Sequence, residues 1–113
     1  MKEIKAIIQQ SALYPVLMAL RAIPDMPGLM LSELRAFPRG HPSAGSASHG
    51  MDALDSVQML SLECVVSDEM SPVAVEVIRK AAHTGGPGDG SIFIYNVEDA
   101  LKIRTGQRGE EAI

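Results

Sequence analysis

The first half of the chain changes from a strand-like to a helix-like spacing of apolar residues and then back again. Residues 2–8 favour a strand, and residues 29–37 favour a second strand. Between them, over about residues 13–23, apolar side chains recur at helical spacing at Leu13, Val16, Leu17 and Leu20. Pro15 fits only the first turn of this helix, and the prolines and glycine at positions 24–28 end it. The pattern predicts a β-α-β unit.

The second half of the chain repeats this order of elements. Residues 56–66 alternate between an apolar and a mixed face, which predicts a strand that helices cover on one side. The apolar face carries Leu60, Leu62, Cys64 and Val66, and the mixed face carries Met59, Ser61 and Glu63. Ser71 and Pro72 predict the N-cap and first position of a helix with a buried stripe at Ala74, Val77, Ile78 and Ala81. Gly85 or Gly86 is expected to close this helix, and residues 91–95 are expected to form the next strand.

The order of these elements predicts an α+β fold. A βαββαβ order is that of a ferredoxin-like sandwich, in which two helices pack on one face of an antiparallel sheet. At 113 residues, the chain is expected to form a single domain over residues 1–113 that would gain stability from oligomerisation. Residues 107–113 are expected to form a short C-terminal tail.

A long loop is expected between strands 2 and 3. Residues 38–55 are rich in glycine, serine and proline and lack the apolar residues that would anchor them. One interpretation is a projecting, flexible arm that reaches a partner and becomes ordered on binding. The alternative is a tolerated insertion, and composition alone does not decide between the two.

Composition and charge exclude several classes of function. The formal net charge of −4 gives no general attraction to nucleic acid, so nucleic acid is not an expected partner. Cys64 lies in an apolar run and has no second cysteine to pair with, which predicts a reduced core residue in a cytoplasmic protein. The sequence shows neither a signal peptide nor an apolar run of membrane-spanning length, so direct membrane insertion is not expected.

A glycine-dense turn and two cations near the C-terminus are the candidate binding residues. Residues 84–90 contain four glycines, which allow backbone N–H groups to approach an anion closely. Lys102 and Arg104 are expected on alternate residues of a terminal strand, and therefore on one face. Together they predict a nucleotide or phosphate site between the turn and the chain's end. The alternative is that the glycines only end a helix and begin a strand, and that the cations are solvated.

Four separated segments of the sequence resemble the P-II nitrogen regulatory proteins. They are residues 1–9 (MKEIKAIIQ), residues 32–40 (SELRAFPRG), the turn at residues 84–90 (TGGPGDG) and residues 103–106 (IRTG). Their order and spacing fit the family along nearly the whole chain. The resemblance implies a ferredoxin-like fold, a homotrimer, three nucleotide sites in clefts between subunits, and a long loop that engages transporters or enzymes. It favours the projecting-arm interpretation of residues 38–55.

The resemblance also implies a set of nucleotide-binding positions. Thr84 and the backbone near Gly88 would face the base, and Lys102 and Arg104 would face the phosphates. The full implied set is Ile7, Phe37, Arg39, Glu63, Thr84, Gly88, Asp89, Gly90, Lys102 and Arg104. The implied ligand is an adenine nucleotide, namely ATP, ADP or AMP.

The sequence departs from the family pattern within that same site. Gly86 and Ser91 stand where the family has lysines, so two phosphate-binding cations are missing. Lys102 stands in place of an arginine and lacks its bidentate fork. Ala36 and Pro38 replace the glycines that flank the family's phenylalanine, which stiffens the base of the loop.

Further departures concern the effector and the loop. Gly40 and Met59 stand where the family has a glutamine and a lysine that hold 2-oxoglutarate, so 2-oxoglutarate is not an expected ligand. At the loop tip, Met51 and Asp52 leave no tyrosine for the uridylylation that some members undergo. The helix end at residues 80–85 is similar to that of a subgroup associated with heavy-metal efflux systems. We therefore expect a divergent P-II-like protein.

The expected function is control of a partner, a membrane transporter, through the loop. The loop residues expected to contact that partner are His41, His49, Met51 and Asp52. The spacing of the histidines and methionines matches no compact metal site, so no metal site is predicted. No residue pattern orients a nucleophile beside a base, so the chain is not expected to be an enzyme. The alternatives are a P-II-like scaffold that no longer responds to a ligand, and a metal-responsive regulator.

Overall fold

The computed structural model describes residues 1–39 and 56–113. Six regular elements occur in the predicted order: β1 (Lys2–Gln9), α1 (Leu13–Arg21), β2 (Met30–Ala36), β3 (Val57–Val66), α2 (Ser71–Ala82) and β4 (Gly90–Asn96). Short 3-10 turns lie at Gln10–Ala12 and Gly109–Ala112. The predicted partner-binding residues His41, His49, Met51 and Asp52, together with Gly40, lie outside the described residues.

The four strands form one antiparallel sheet in the order β2-β3-β1-β4. Strand β1 pairs with β3 from Lys2 opposite Val66 to Gln9 opposite Met59. It pairs with β4 from Lys2 opposite Asn96 to Ile8 opposite Gly90. The start of β4 therefore lies beside the end of β1, and the last residue of β4 lies beside Lys2. The predicted ferredoxin-like α+β fold is confirmed.

The core lies between the two helices and one face of the sheet. The apolar face predicted for β3 is buried against the helices, and alternate residues of β1 join it. The most deeply buried side chains are Ile4, Ala6, Ile8, Val16, Leu20, Leu62, Cys64, Val66, Ala74 and Ile78. Each buried Leu, Ile or Val contributes about 1.5–3 kcal/mol. Burial, together with the nearby Glu3 charge, raises the pKa of the Cys64 thiol to about 11, so this residue stays protonated.

The opposite face of the sheet carries neither helix, and we call it the open face. The strand register places alternate residues of all four strands on it, including Lys5, Ile7, Met59, Ser61, Glu63, Ser91, Phe93 and Tyr95. Phe93 and Tyr95 remain 48% and 47% exposed. Aromatic residues are enriched in subunit interfaces relative to the rest of the protein surface.

Two predictions about the ends of α2 are wrong. Ser71 is the first helical residue and not the N-cap, because a turn at residues 68–70 already starts the helical path. The capping role passes to Ser67, whose Oγ accepts a hydrogen bond from the Met70 N–H at 3.2 Å. The helix ends at Ala82, and extended backbone at His83, with φ −71° and ψ 124°, ends it before the glycines are reached.

Within residues 1–39 and 56–113, neither helix is long and apolar enough to cross a membrane.

Candidate functional site

The turn between α2 and β4 is organised by the carboxylate of Asp89. Its Oδ2 accepts hydrogen bonds from the backbone N–H groups of Thr84, at 2.8 Å, and Gly85, at 3.0 Å. Its Oδ1 accepts a hydrogen bond from the Thr84 hydroxyl. The Thr84 side-chain and backbone hydrogen bonds hold the pKa of Asp89 below its usual value, so the carboxylate is ionised at neutral pH.

Gly90 is the residue at which the turn joins the sheet. Its φ of +105° lies in the region that favours glycine, and a Cβ there would overlap the carbonyl oxygen of Ile7. The backbones of β1 and β4 therefore approach each other so closely that a side chain has no room. This contact fixes the position of the turn relative to the end of β1.

A further hydrogen bond joins the turn to β1. The side-chain amide of Gln9 donates from Nε2 to the carbonyl oxygen of Gly88 at 2.7 Å. The sequence pattern did not mark Gln9 as a site residue. The signal that could have found it is its place at the end of β1, next to Ile8, which pairs with Gly90. Because this amide occupies the Gly88 carbonyl, the backbone of the turn is held in one orientation.

A groove of about 310 Å³ lies between the turn and the end of β2. Its lining combines Ile7 with residues of the turn, of the β2 end and of neighbouring strands: Ala36, Pro38, Met59, Pro87, Gly88, Gly90, Ser91 and Phe93. The groove therefore joins three predicted site residues, Ile7, Gly88 and Gly90, to Pro38, which lies between the predicted residues Phe37 and Arg39. Both of these are exposed.

A second cleft, of about 490 Å³, lies on the other side of the turn, against α2. Asp89 faces this cleft together with Arg79 and His83. The His83 Nδ1 lies 3.4 Å from Asp89 Oδ2, and Arg79 makes two hydrogen bonds to Glu76, at 2.9 and 2.7 Å. The Asp89 carboxylate is therefore already engaged by hydrogen bonds within the turn.

The two predicted phosphate-binding cations do not lie on a terminal strand. The backbone N–H of Lys102 donates to Gln107 at 2.8 Å, and its carbonyl accepts from Gly106 at 2.7 Å, so Arg104 lies in a tight turn. The strand prediction is wrong because local turn chemistry outweighs the alternation of side chains. Gly106 adopts a φ of +74°, and the Thr105 hydroxyl oxygen accepts from the Gln107 N–H at 3.2 Å.

This C-terminal hairpin, residues 101–108, follows the far end of β4. Since β4 has seven residues, its two ends are about 20 Å apart at a rise of about 3.3 Å per residue. Gly90 lies at the Ile8 end of β1, and Asn96 lies at the Lys2 end. Glu63, on the open face, has its carboxylate 3.9 Å from the Lys5 Nζ. The single chain therefore does not gather the whole predicted set at the groove.

The described part of the chain offers no cluster of three or more His, Cys, Asp or Glu side chains that would hold a metal ion. The polar groups at the turn are instead arranged to hold its backbone. Chemically, the groove can enclose an apolar or ring-bearing group, with Ser91 as the hydroxyl in its lining.

Comparisons with known proteins agree with this architecture. The family Nitrogen regulatory protein P-II matches residues 1–107. The "Nitrogen regulatory protein P-II" of Rhodospirillum rubrum is 40% identical over 116 residues, and that of Haemophilus influenzae is 39% identical over 115 residues. In both cases the similarity covers 100% of this chain and 100% of the relative.

A solved structure of a related protein has the same fold. The crystal structure of Arabidopsis thaliana PII bound to citrate superimposes with a TM-score of 0.78 at 30% sequence identity. It covers 98% of this chain and 87% of that chain. Proteins of this family are regulators that act on partner proteins, and not enzymes. From its sequence along residues 1–107 and from its fold, this chain belongs to the P-II nitrogen regulatory protein family.

Proposed function

We propose that this chain forms a cytoplasmic homotrimer that binds an adenine nucleotide in clefts between its subunits. Ligand binding would control a partner, a membrane transporter, through residues 38–55. The observation that carries this proposal is the groove beside the Thr84–Gly90 turn, because its lining includes Pro38, where the predicted loop begins. A ligand in this groove contacts the loop base directly.

The regulatory step is a shift between loop conformations. A ligand shifts such an equilibrium only by its difference in affinity for the two states. Phe37 is 63% exposed and Arg39 is also exposed, so both side chains are free to close over a ligand beside Pro38. The liganded chain would therefore favour a loop conformation in which these residues cover the groove.

Two features of the single chain support the proposed trimer. The open face carries Phe93 and Tyr95, which a neighbouring subunit would bury. The hairpin cations Lys102 and Arg104 follow the end of β4 that is opposite to the groove, and they do not line it. A second copy of the chain would supply these two cations to the groove, which completes the predicted nucleotide site.

The structure also supports the expectation that 2-oxoglutarate is not a ligand. Met59 is only 8% exposed and lines the groove, so an apolar thioether occupies a position where a keto acid would need a cation. The relative whose structure contains citrate shows that a small anion binds to that protein. A small anion other than a nucleotide is therefore the second candidate for this chain.

Calorimetric titration of the purified protein with ATP, ADP and AMP, with and without magnesium, tests the nucleotide proposal. Saturable binding near one site per subunit is the expected result. If a folded trimer gives no heat with any of the three, the nucleotide proposal is wrong. Titration with citrate would then test the small anion, and a protein that binds neither ligand would be a scaffold that acts without one.

A further inference from the structure

Resting on the proposed nucleotide site, we propose that its ligand is adenosine or an adenosine monophosphate, and that further phosphates add little affinity. The charges in and around the groove beside the turn support this proposal. The chain would therefore contact the base and at most one phosphate, and it would not bind ATP more tightly than AMP.

The groove itself is uncharged. Its side chains are aliphatic, thioether, proline or aromatic groups, with Ser91 as the polar exception. Among the described residues, none of those that line it carries a formal charge. Such a lining suits the flat face of a base, since an apolar pocket with a few polar groups is the usual form of a small-ligand site. It offers a polyphosphate no charge-assisted contact.

The charges nearest to the groove do not favour additional phosphates. Asp89, in the same turn, is ionised and accepts three hydrogen bonds within the turn, so it contributes a fixed negative charge. The guanidinium of Arg79 on the other side of the turn is already engaged by Glu76. On the open face, the Lys5 Nζ lies 3.9 Å from the Glu63 Oε1. Arg39 is the exposed cation at the loop base.

The hairpin of a second copy brings two cations, Lys102 and Arg104. Arg39 at the loop base adds a third cation and the ionised Asp89 offsets one, so the net charge of about +2 matches one phosphate group, which carries about −1.5 to −2 at neutral pH. A triphosphate would leave negative charge without a partner beside Asp89.

The experiment is a calorimetric series with adenosine, AMP and ATP, measured with and without magnesium on the wild-type protein. We expect dissociation constants for AMP and ATP within about fivefold of one another, because surplus phosphates gain only weak, solvent-screened contacts. ATP binding that is tenfold or more tighter than AMP binding, by about 1.4 kcal/mol, would overturn the proposal and leave the nucleotide site standing.

Two lysine variants make the test sharper. In Ser91→Lys the new side chain starts from the groove lining. In Gly86→Lys the Cβ would meet only the Thr84 Oγ1, at an ordinary 3.5 Å. Each should tighten ATP binding about tenfold and change adenosine binding little, since an added charge-assisted contact acts on phosphate alone. Met18→Lys, on the exposed side of α1, adds the same charge away from the groove and should leave both affinities unchanged.

The outcomes distinguish a failure of this inference from a failure of the proposed nucleotide site. Tighter ATP binding by Ser91→Lys and Gly86→Lys, with no change in Met18→Lys, supports the inference. Lysine variants that leave ATP affinity at the wild-type value would show that cations at the groove are not the limiting feature, which contradicts it. Absence of binding by all three ligands to the folded wild type would instead remove the nucleotide site itself.

Discussion

At the scale of single residues, Gly90 and Asp89 fix the turn in different ways. Gly90 permits the close approach of β4 to β1 through its missing side chain, whereas Asp89 holds the backbone of Thr84 and Gly85 through its carboxylate. Both belong to the predicted nucleotide set, and both have a structural role that is independent of any ligand. Variants of these residues therefore need a stability measurement beside every binding measurement.

Replacement of Gly90 by alanine should strongly destabilise the fold. The new Cβ would overlap the Ile7 carbonyl oxygen, and the φ of +105° is strained for any other residue, so we expect a loss of more than about 3 kcal/mol. Urea denaturation measures it. Gly88→Ala is the matched control, because its Cβ would meet only the end of the flexible Gln9 side chain at 3.1 Å. Equal losses in the two variants would contradict this account.

Replacement of Asp89 by asparagine should change the pH dependence of stability. Because hydrogen bonds lower the pKa of Asp89 in the folded state, its stabilisation is complete above the unfolded value of about 3.9 and is lost as the pH falls through the lower folded value. The stability difference between wild type and Asp89→Asn should therefore shrink below about pH 4. Denaturation curves at several pH values measure this.

The control for this measurement is Asp99→Asn, just before the C-terminal hairpin. The hydrogen bond from Arg108, at 2.7 Å, holds the pKa of Asp99 below its usual value, so this variant should show the same direction of pH dependence. It leaves the Thr84–Gly90 turn intact, so only Asp89→Asn should disturb that turn. A difference for Asp89→Asn that stayed constant down to acidic pH would show that the carboxylate charge is not what holds the turn.

At the scale of elements, the sequence predicted the order and the faces of the helices and strands, and it failed at their ends. The alternation in β3 and the helical stripes of α1 and α2 are signals summed over many residues, so they survive local exceptions. The ends depend on single hydrogen bonds. Ser67 rather than Ser71 caps the path into α2, and Thr105 with Gly106 turns the predicted terminal strand into a hairpin.

The change of cap leads to a direct prediction. Ser67→Ala should destabilise the protein by about 1 kcal/mol, because the Met70 N–H loses its acceptor at the start of the helical path. Ser71→Ala, at the residue that the sequence suggested as the cap, should cost less than half of that. Thermal unfolding of both variants ranks them. A larger loss of stability in Ser71→Ala than in Ser67→Ala would identify Ser71 as the cap.

At the scale of the whole molecule, the candidate site was predictable only in part. Three of the positions implied by the family resemblance, Ile7, Gly88 and Gly90, line the groove. Gln9 and Phe93 reach the turn and the groove through the strand register, which no local pattern displays, and Met59 was noted for this site only as the position of a missing lysine. Lys102 and Arg104 follow the end of β4 that is opposite to the groove and do not line it, so the proposed site takes them from a second copy of the chain.

The open face gives a test of that assembly. Phe93→Glu should prevent trimer formation, because a subunit interface would bury a charge without a partner. Tyr14→Glu, at a side chain that is 72% exposed on α1, should leave the trimer intact. Sedimentation equilibrium distinguishes one chain from three. A Phe93→Glu protein that remained trimeric would place the interface elsewhere.

The most direct measurement of the central claim is nucleotide binding by mixed trimers. Arg104→Ala removes a hairpin cation, and Ser91→Tyr fills the groove, so each variant alone should bind AMP much more weakly than the wild type. If the hairpin of one chain completes the groove of another, co-refolding the two in equal amounts should restore about one site in four, since an intact groove then meets an intact hairpin at random. Mixed trimers that bind no more than the separate variants, or an Arg104→Ala protein that binds like the wild type, would contradict a site shared between subunits.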